Sequence, residues 1–218
     1  THVDPIISLK NVSGTVLAQS DNYFYGDPLL SHTFKEAGDY FLEVRDVRYQ
    51  GNPYWQYVVE INDRPFVTGV VPTVVKPGAK TPVRLVGFNL PADAQAELDV
   101  PSGVAEGPQW LRPRQGSTTF NPAQAVVSSA AAVLESTADK STPDKAQDTA
   151  APAIVSGRIA QAGEADCYAF AAKKGDVFNF EVIARRAQSS LDSILAVYNE
   201  KGVRLTEADD YQNHRMLT

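Results

Sequence analysis

The sequence predicts an all-β protein built from several β-domains, and three observations carry that prediction. Apolar and polar residues alternate with period two in separated segments, the pattern of strands that keep one face in a core. Gly- and Pro-containing turn formers stand between those segments. The end of the chain also repeats its beginning. Residues 3–23, VDPIISLKNVSGTVLAQSDNY, align without a gap with residues 191–211, LDSILAVYNEKGVRLTEADDY, at an offset of 188. Asp4, Ile6, Asn11, Gly14, Leu17, Asp21 and Tyr23 meet Asp192, Ile194, Asn199, Gly202, Leu205, Asp209 and Tyr211, and Asn22 meets Asp210. That spacing is too long for a solenoid unit. It describes two copies of one domain with a different domain between them. The first copy starts near its own middle and the second stops near its middle, so the chain is expected to be a piece of a longer modular protein.

The elements follow in order. Ser13-Gly14 predicts a hairpin turn in the first repeat. In Asp39–Val47, Tyr40, Leu42 and Val44 share one face while Glu43 and Arg45 take the other, which predicts a half-buried strand. Trp55, Tyr57, Val59 and Ile61 alternate with Gln56 and Glu60 and predict another strand, with Trp55 and Tyr57 in a core. These elements make residues 1–61 the rear part of one β-domain. Residues 62–132 form a second unit. Its segment RPFVTGVVPTVVKPGAKTPVRLVGFNL reads as a strand, a Pro-Gly turn and a strand in which Val83 and Leu85 oppose Arg84. Ala123–Glu135 is rich in alanine, but Val126-Val127 and Ser128-Ser129 disfavour a helix, and the segment reads as a final strand running into a linker. Residues 133–150, VLESTADKSTPDKAQDTA, have the polar composition of that linker. Residues 151–218 are the front part of a second copy of the first domain. There the turn Lys173–Asp176 precedes an alternating strand with Phe178, Phe180 and Val182 on one face.

Composition narrows the functional classes. Hydrophobic residues make up 43% of the chain, enough for packed cores and too many for a disordered segment. A net charge of -6, with no basic run, argues against a nucleic-acid partner. No apolar stretch approaches the roughly 20 residues of a membrane span. The single cysteine, Cys167, excludes an internal disulfide and CxxC chemistry, and it reads as a small residue on a strand. His2, His32 and His214 have no motif around them. The sequon Asn11-Val12-Ser13 falls in the predicted hairpin turn. Motifs of serine hydrolases, zinc peptidases, P-loop enzymes and dinucleotide enzymes are absent, and catalysis within this chain is not expected.

The stretch GEADCYAFAAKKGDVFNFEVIARRAQSSLDSILAVYNEKGVRLTEADD resembles the front of a bacterial pre-peptidase C-terminal domain. The resemblance rests on Asp166, Tyr168, Phe170, Gly175, Arg185, Leu191, Asp192, Asp209 and Asp210 in that order. Residues 3–61 resemble the rear of the same domain through Gly38-Asp39-Tyr40 and Trp55-Gln56-Tyr57-Val58-Val59. Residues 62–132 resemble the immunoglobulin-like (IPT/TIG-like) repeats that sit beside such domains, chiefly through Gly87-Phe88-Asn89-Leu90. The resemblance implies jelly-roll β-sandwich pieces around a central Ig-like β-sandwich. It implies a secreted or extracytoplasmic bacterial protein with an accessory role in adhesion, spacing or substrate targeting. The alternative it implies is an ancillary region of a secreted hydrolase, a peptidase in the first instance, whose catalytic domain lies outside the chain.

Two sets of residues are candidates for binding. The family resemblance implies a calcium ligand set from acids before the first strand and near the Asp-x-Tyr strand, which here points to Glu135, Glu164 and Asp166. Calcium needs 6–8 oxygen ligands. Thr137 and Lys140 stand where that pattern has acids, and an ammonium at a ligand position repels the ion, so no tight site and no other cofactor are expected. Tyr49 and Tyr54 flank the Gln50–Pro53 turn and are the candidates for contact with an extracellular polymer or cell-surface component. The recurrent aspartates Asp4/Asp192 and Asp21/Asp209 read as turn and strand-end hydrogen bonding.

Overall fold

The computed structural model describes residues 3–23, 26–130 and 132–209. The fold is all-β: among the described residues the only helical pieces are two three-residue 3-10 turns, Pro143–Lys145 and Arg185–Ala187. No helix among them is long and apolar enough to cross a membrane. The chain divides into two compact units, Thr1–Asp63 and Arg64–Thr218.

The first unit is a three-stranded antiparallel sheet. Strand β1 (Pro5–Asn11) lies between β2 (Val16–Ser20) and β3 (Tyr40–Asp46). The β1–β2 turn is held by Asn11, whose Oδ1 accepts from Ser13 N (3.1 Å) and Thr15 N (2.9 Å), while Gly14 takes φ +83°. The sequon asparagine therefore spends its side-chain oxygen inside the turn. Ile6 and Leu9 are buried on β1, and Ser8 is buried with its Oγ accepting from Gln19 Nε2 at 2.7 Å. The alternation at 55–61 does not produce a paired strand. Tyr57, Val58 and Ile61 are exposed there, so Tyr57 is not a core residue. Alternation assigns faces, but a strand also needs a ladder of backbone hydrogen bonds, and no strand of the described sheets runs along this segment.

The second unit opens with a β-sandwich. One sheet has five strands in the order β10-β9-β7-β6-β4: β4 (Phe66–Val71), β6 (Ala79–Phe88), β7 (Gln95–Val100), β9 (Arg114–Gln115) and β10 (Thr118–Thr119). The other has β5 (Val74–Val75), β8 (Gly107–Leu111) and β11 (Ala123–Val127), with β11 central. Strand β7 buries Ala96, Leu98 and Val100 and exposes Gln95, Glu97 and Asp99, the period-two pattern of a sheet with one wet face. Val83 and Leu85 of β6 and Ala123, Ala125 and Val127 of β11 complete the same core. Asn121 closes the open end of this sheet at β4: its Oδ1 accepts from Val67 N and its Nδ2 donates to Val67 O, both at 2.8 Å.

The tetrad 87–90 has a packing reason. A Cβ on Gly87 would lie 2.0 Å from Phe66 O, so only glycine lets β4 and β6 approach at that point. Asn89 turns the chain with φ +52°, and Leu90 packs against the sandwich core.

Beyond the sandwich the strands are short. β12 (Ala132–Leu134) pairs in parallel with β14 (Ile154–Ser156), and β13 (Gln147–Asp148) pairs in parallel with β15 (Tyr168–Ala169). The polar segment 133–150, expected as a linker, thus contributes β13 and most of β12 to these pairs. Ser156 Oγ accepts from Thr73 N at 3.0 Å and anchors β14 beside the sandwich. The 3-10 turn Arg185–Ala187 packs on β8 and β11. The alternation at 178–182 forms no strand; Phe178 and Phe180 instead gather with Phe170, at centroid distances of 5.5 and 5.3 Å. The last elements, β16 (Leu195–Tyr198) and β17 (Arg204–Ala208), form an antiparallel hairpin.

That hairpin reproduces the first one. The pairs Ile7↔Ser20, Ser8↔Gln19, Leu9↔Ala18 and Lys10↔Val16 become Leu195↔Ala208, Ala196↔Glu207, Val197↔Thr206 and Tyr198↔Arg204, all shifted by the repeat offset. The bulge recurs at the same step, Leu9/Lys10 and Val197/Tyr198. Asn199 plays the part of Asn11, its Oδ1 accepting from Lys201 N (2.9 Å) and Val203 N (3.0 Å), and Gly202 takes φ +72°. The repeat positions of Asp210 and Tyr211 lie outside the described residues, as do His2 and His214.

Candidate functional site

Two of the three calcium candidates meet, and a lysine stands between them. Glu135 follows β12 and Asp166 precedes β15, so the two short parallel pairs bring them together. Gln147 laces the pairs to each other: its Oε1 accepts from Ser136 N at 2.7 Å and its Nε2 donates to Leu134 O at 3.0 Å. Lys140 is 8% exposed, and its backbone carbonyl accepts from Cys167 N at 2.8 Å. Its Nζ lies 3.2 Å from Asp166 Oδ1 and 3.5 Å from Glu135 Oε2, and it donates to Ser136 O at 3.3 Å. One ammonium thus occupies the point on which two carboxylates and a carbonyl converge.

The third candidate, Glu164, is used locally. Its Oε2 accepts from Ala160 N (2.6 Å) and Gln161 N (2.8 Å), closing the loop before Asp166. Glu135 also accepts from Arg158 N at 2.9 Å. Among the described residues no group of three or more His, Cys, Asp or Glu is placed to hold a metal ion.

The electrostatics follow from this geometry. Burial pushes the Lys140 ammonium down, but hydrogen bonding and charge from Asp166, with Glu135 behind it, outweigh burial and leave its pKa raised. Burial raises the Asp166 carboxyl; Lys140 opposes that rise, while the charges of Glu135 and Glu164 add to it. Tyr168 is pushed up to about 12 by burial and by the charges of Asp166 and Glu135. A Cβ on Gly157 would lie 2.9 Å from the Tyr168 hydroxyl and 3.1 Å from Glu135 Oε2, so glycine leaves room for both groups at that wall. Cys167 is raised by burial and then by the charges of Asp166 and Asp144, which keeps it a thiol rather than a nucleophilic thiolate. The cluster is an ionic clamp fastening the strand pairs.

The aromatic candidates sit in the first unit on rigid turns. Asp46 is buried, and its carboxylate accepts from Asp4 N (3.0 Å), Arg48 N (2.9 Å) and Gln50 N (3.2 Å). Those bonds, that of Asp4 first, hold its pKa below the ordinary aspartate value. The turn so fixed presents Tyr49 at φ +56° and 79% exposure, with the Arg45 guanidinium 4.3 Å from the ring centroid. Tyr54 is 87% exposed, and its backbone N–H donates to Asn52 Oδ1 at 2.9 Å. Sequence reasoning named both tyrosines but not Asp46, which accepts locally from Arg48 N and Gln50 N and gains its third donor, Asp4 N, only when β3 lies beside β1. Asp4 serves there through its backbone N–H, while Asp21 Oδ1 accepts from Asn22 N at 2.7 Å in the local manner expected.

No protein-family model, no curated protein and no solved structure matches the chain.

Proposed function

We propose that the chain is a non-catalytic, extracytoplasmic run of β-modules that spaces or targets a larger secreted bacterial protein, with an extracellular polymer or cell-surface component as the partner. The observation that carries this reading is the repeated hairpin. One supersecondary unit, with the same register, bulge and Asn/Gly turn, occurs on both sides of a sandwich in the sequence, which is how serial accessory modules are built. The ionic clamp supports the same reading, because its carboxylates are spent on Lys140 and fasten strands together. Tyr49 and Tyr54 are the residues proposed to meet the partner. Exposed tyrosine offers a flat apolar face and a hydroxyl at low side-chain entropy cost.

The test is sedimentation of the purified chain with insoluble collagen, chitin, cellulose and peptidoglycan. Retention on one of these, reduced at least about fivefold by the pair Tyr49→Ala and Tyr54→Ala, is the expected result. Retention no greater than that of an inert protein on all four removes the targeting role. Retention unchanged in the double variant removes the tyrosines from it.

A further inference from the structure

Lys140 and Asp166 meet the geometric demands of a reaction as well as those of an ion pair. Their side chains are 9% and 10% exposed, so the contact is nearly dry. Their backbones are held in place, because Cys167 N donates to Lys140 O at 2.8 Å and Gln147 N donates to Cys167 O at 2.9 Å. The lysine and the aspartate therefore face each other across a fixed span. Holding two reactants in that way replaces an encounter in solution with a high effective concentration.

The three oxygens around the ammonium differ in what they can do with a proton. Asp166 Oδ1 at 3.2 Å and Glu135 Oε2 at 3.5 Å belong to carboxylates and can take one. Ser136 O at 3.3 Å is a peptide carbonyl and only accepts a hydrogen bond. The ammonium thus has a route for losing two protons and a partner for the one that an amide keeps. In a dry site a charged pair also lowers its desolvation cost by neutralising. Burial already favours the acid form of Asp166. A carboxylic acid, unlike a carboxylate, is open to attack by an amine.

We infer that Lys140 and Asp166 close to an intramolecular amide, with Glu135 as the proton carrier. The freshly folded chain holds the ion pair, and closure proceeds from it. Lys140 Nζ first gives a proton to Asp166, leaving a neutral amine beside a neutral acid. The nitrogen lone pair attacks Asp166 Cγ, and the Nζ–Cγ bond forms. Glu135 takes a second proton from the nitrogen and passes it to the departing hydroxyl. The Cγ–O bond breaks and water leaves. One cation and one anion become a neutral amide, so charge balances, and no oxidant, reductant or further reactant enters. The product joins residues 140 and 166 covalently and closes 141–165 into a loop, which restricts the unfolded chain as a disulfide would. The single cysteine cannot supply such a staple within this chain.

The experiment is intact-mass spectrometry of the purified chain, followed through prolonged incubation at neutral pH. A species lighter by one water is expected to accumulate. Its tryptic digest should contain residues 115–145 joined to residues 159–173, uncut after Lys140. The same chain held unfolded in guanidinium should stay at full mass, since the reaction needs the folded geometry. Lys140→Arg and Asp166→Ala should each remove the light species, and Glu135→Gln should slow its appearance at least about tenfold. A folded chain that stays at full mass overturns the inference. So does a lost water that maps to other residues or persists in Lys140→Arg. Because the joined peptides are read in the unaltered chain, a variant that fails to fold does not decide the outcome. Closure at an unchanged rate in Glu135→Gln overturns the role given to Glu135.

Discussion

Replacing Lys140 by methionine tests whether the ionic clamp is structural. The side chain keeps its length and loses its charge, so packing is nearly conserved. In the native protein the ammonium stands 3.2 Å from Asp166 and 3.5 Å from Glu135. At an effective dielectric of about 20, one such pair at about 4 Å has a gross attraction near 4 kcal/mol, much of it offset by desolvation of both ions. Deleting one partner does not simply return that offset. It leaves Asp166 buried, facing Glu135 and Glu164, and removing one member of a buried pair costs about 3–5 kcal/mol. The Glu135 side chain remains 26% exposed and can be solvated, which points to the low end, about 3 kcal/mol. For a domain the size of the second unit that corresponds to a fall of roughly 6–12 °C in Tm. The assay is urea unfolding and calorimetry of Lys140→Met, Asp166→Asn and the double variant. The double variant should recover at least about 1 kcal/mol over Lys140→Met, because the stranded charge is gone. A Lys140→Met loss below about 0.5 kcal/mol, or a double variant no more stable than the single one, refutes the reasoning.

The same site predicts an alkaline weakening. Tyr168 at about 12 and Lys140 raised above its ordinary value both hold their protons longer folded than unfolded, so stability falls as pH climbs from about 10 toward 12 and is fully present below that window. Each group contributes at most about 1.4 kcal/mol per pH unit, and Tyr168→Phe should flatten its share of the slope in a pH series of urea midpoints. In the sandwich, Gly87→Ala drives a methyl into Phe66 O and should cost about 1–3 kcal/mol or more, read by the same urea midpoints; a loss under about 0.5 kcal/mol would show that β4 and β6 can separate there without cost.

What the sequence disclosed and what it hid divide along a physical line. Strands β3 and β6 were legible because their apolar and polar residues alternate, which assigns them two unlike faces. Residues 55–61 and 178–182 carry similar alternation and make no ladder, since alternation names a face and is silent about a hydrogen-bonding partner. The strands β12 to β14 were hidden for the opposite reason. They are two or three residues long, too short to show a period, and they are held by Gln147 and Lys140, polar residues that composition assigns to a linker. The replacement of an expected acid by Lys140 was visible as a residue type. That the lysine reaches back to Ser136 O and bridges Glu135 to Asp166 depends on two parallel pairings the sequence does not announce.

The repeated hairpin shows how far local sequence reaches. Asn11 and Gly14 recur as Asn199 and Gly202, and with them recur the turn bonds, the positive φ, the bulge and the whole register. All of these are decided within about fifteen residues, by one side-chain amide and one residue free of a Cβ. Burial is not decided there. Ile6 and Ile194 occupy the same place in the same hairpin, yet one is in a core and the other faces water. The first copy has β3, a strand some thirty residues further along, hydrogen-bonded to the second edge of β1. The hairpin is therefore specified by its own sequence, whereas the burial of Ile6 is set by what lies outside the hairpin.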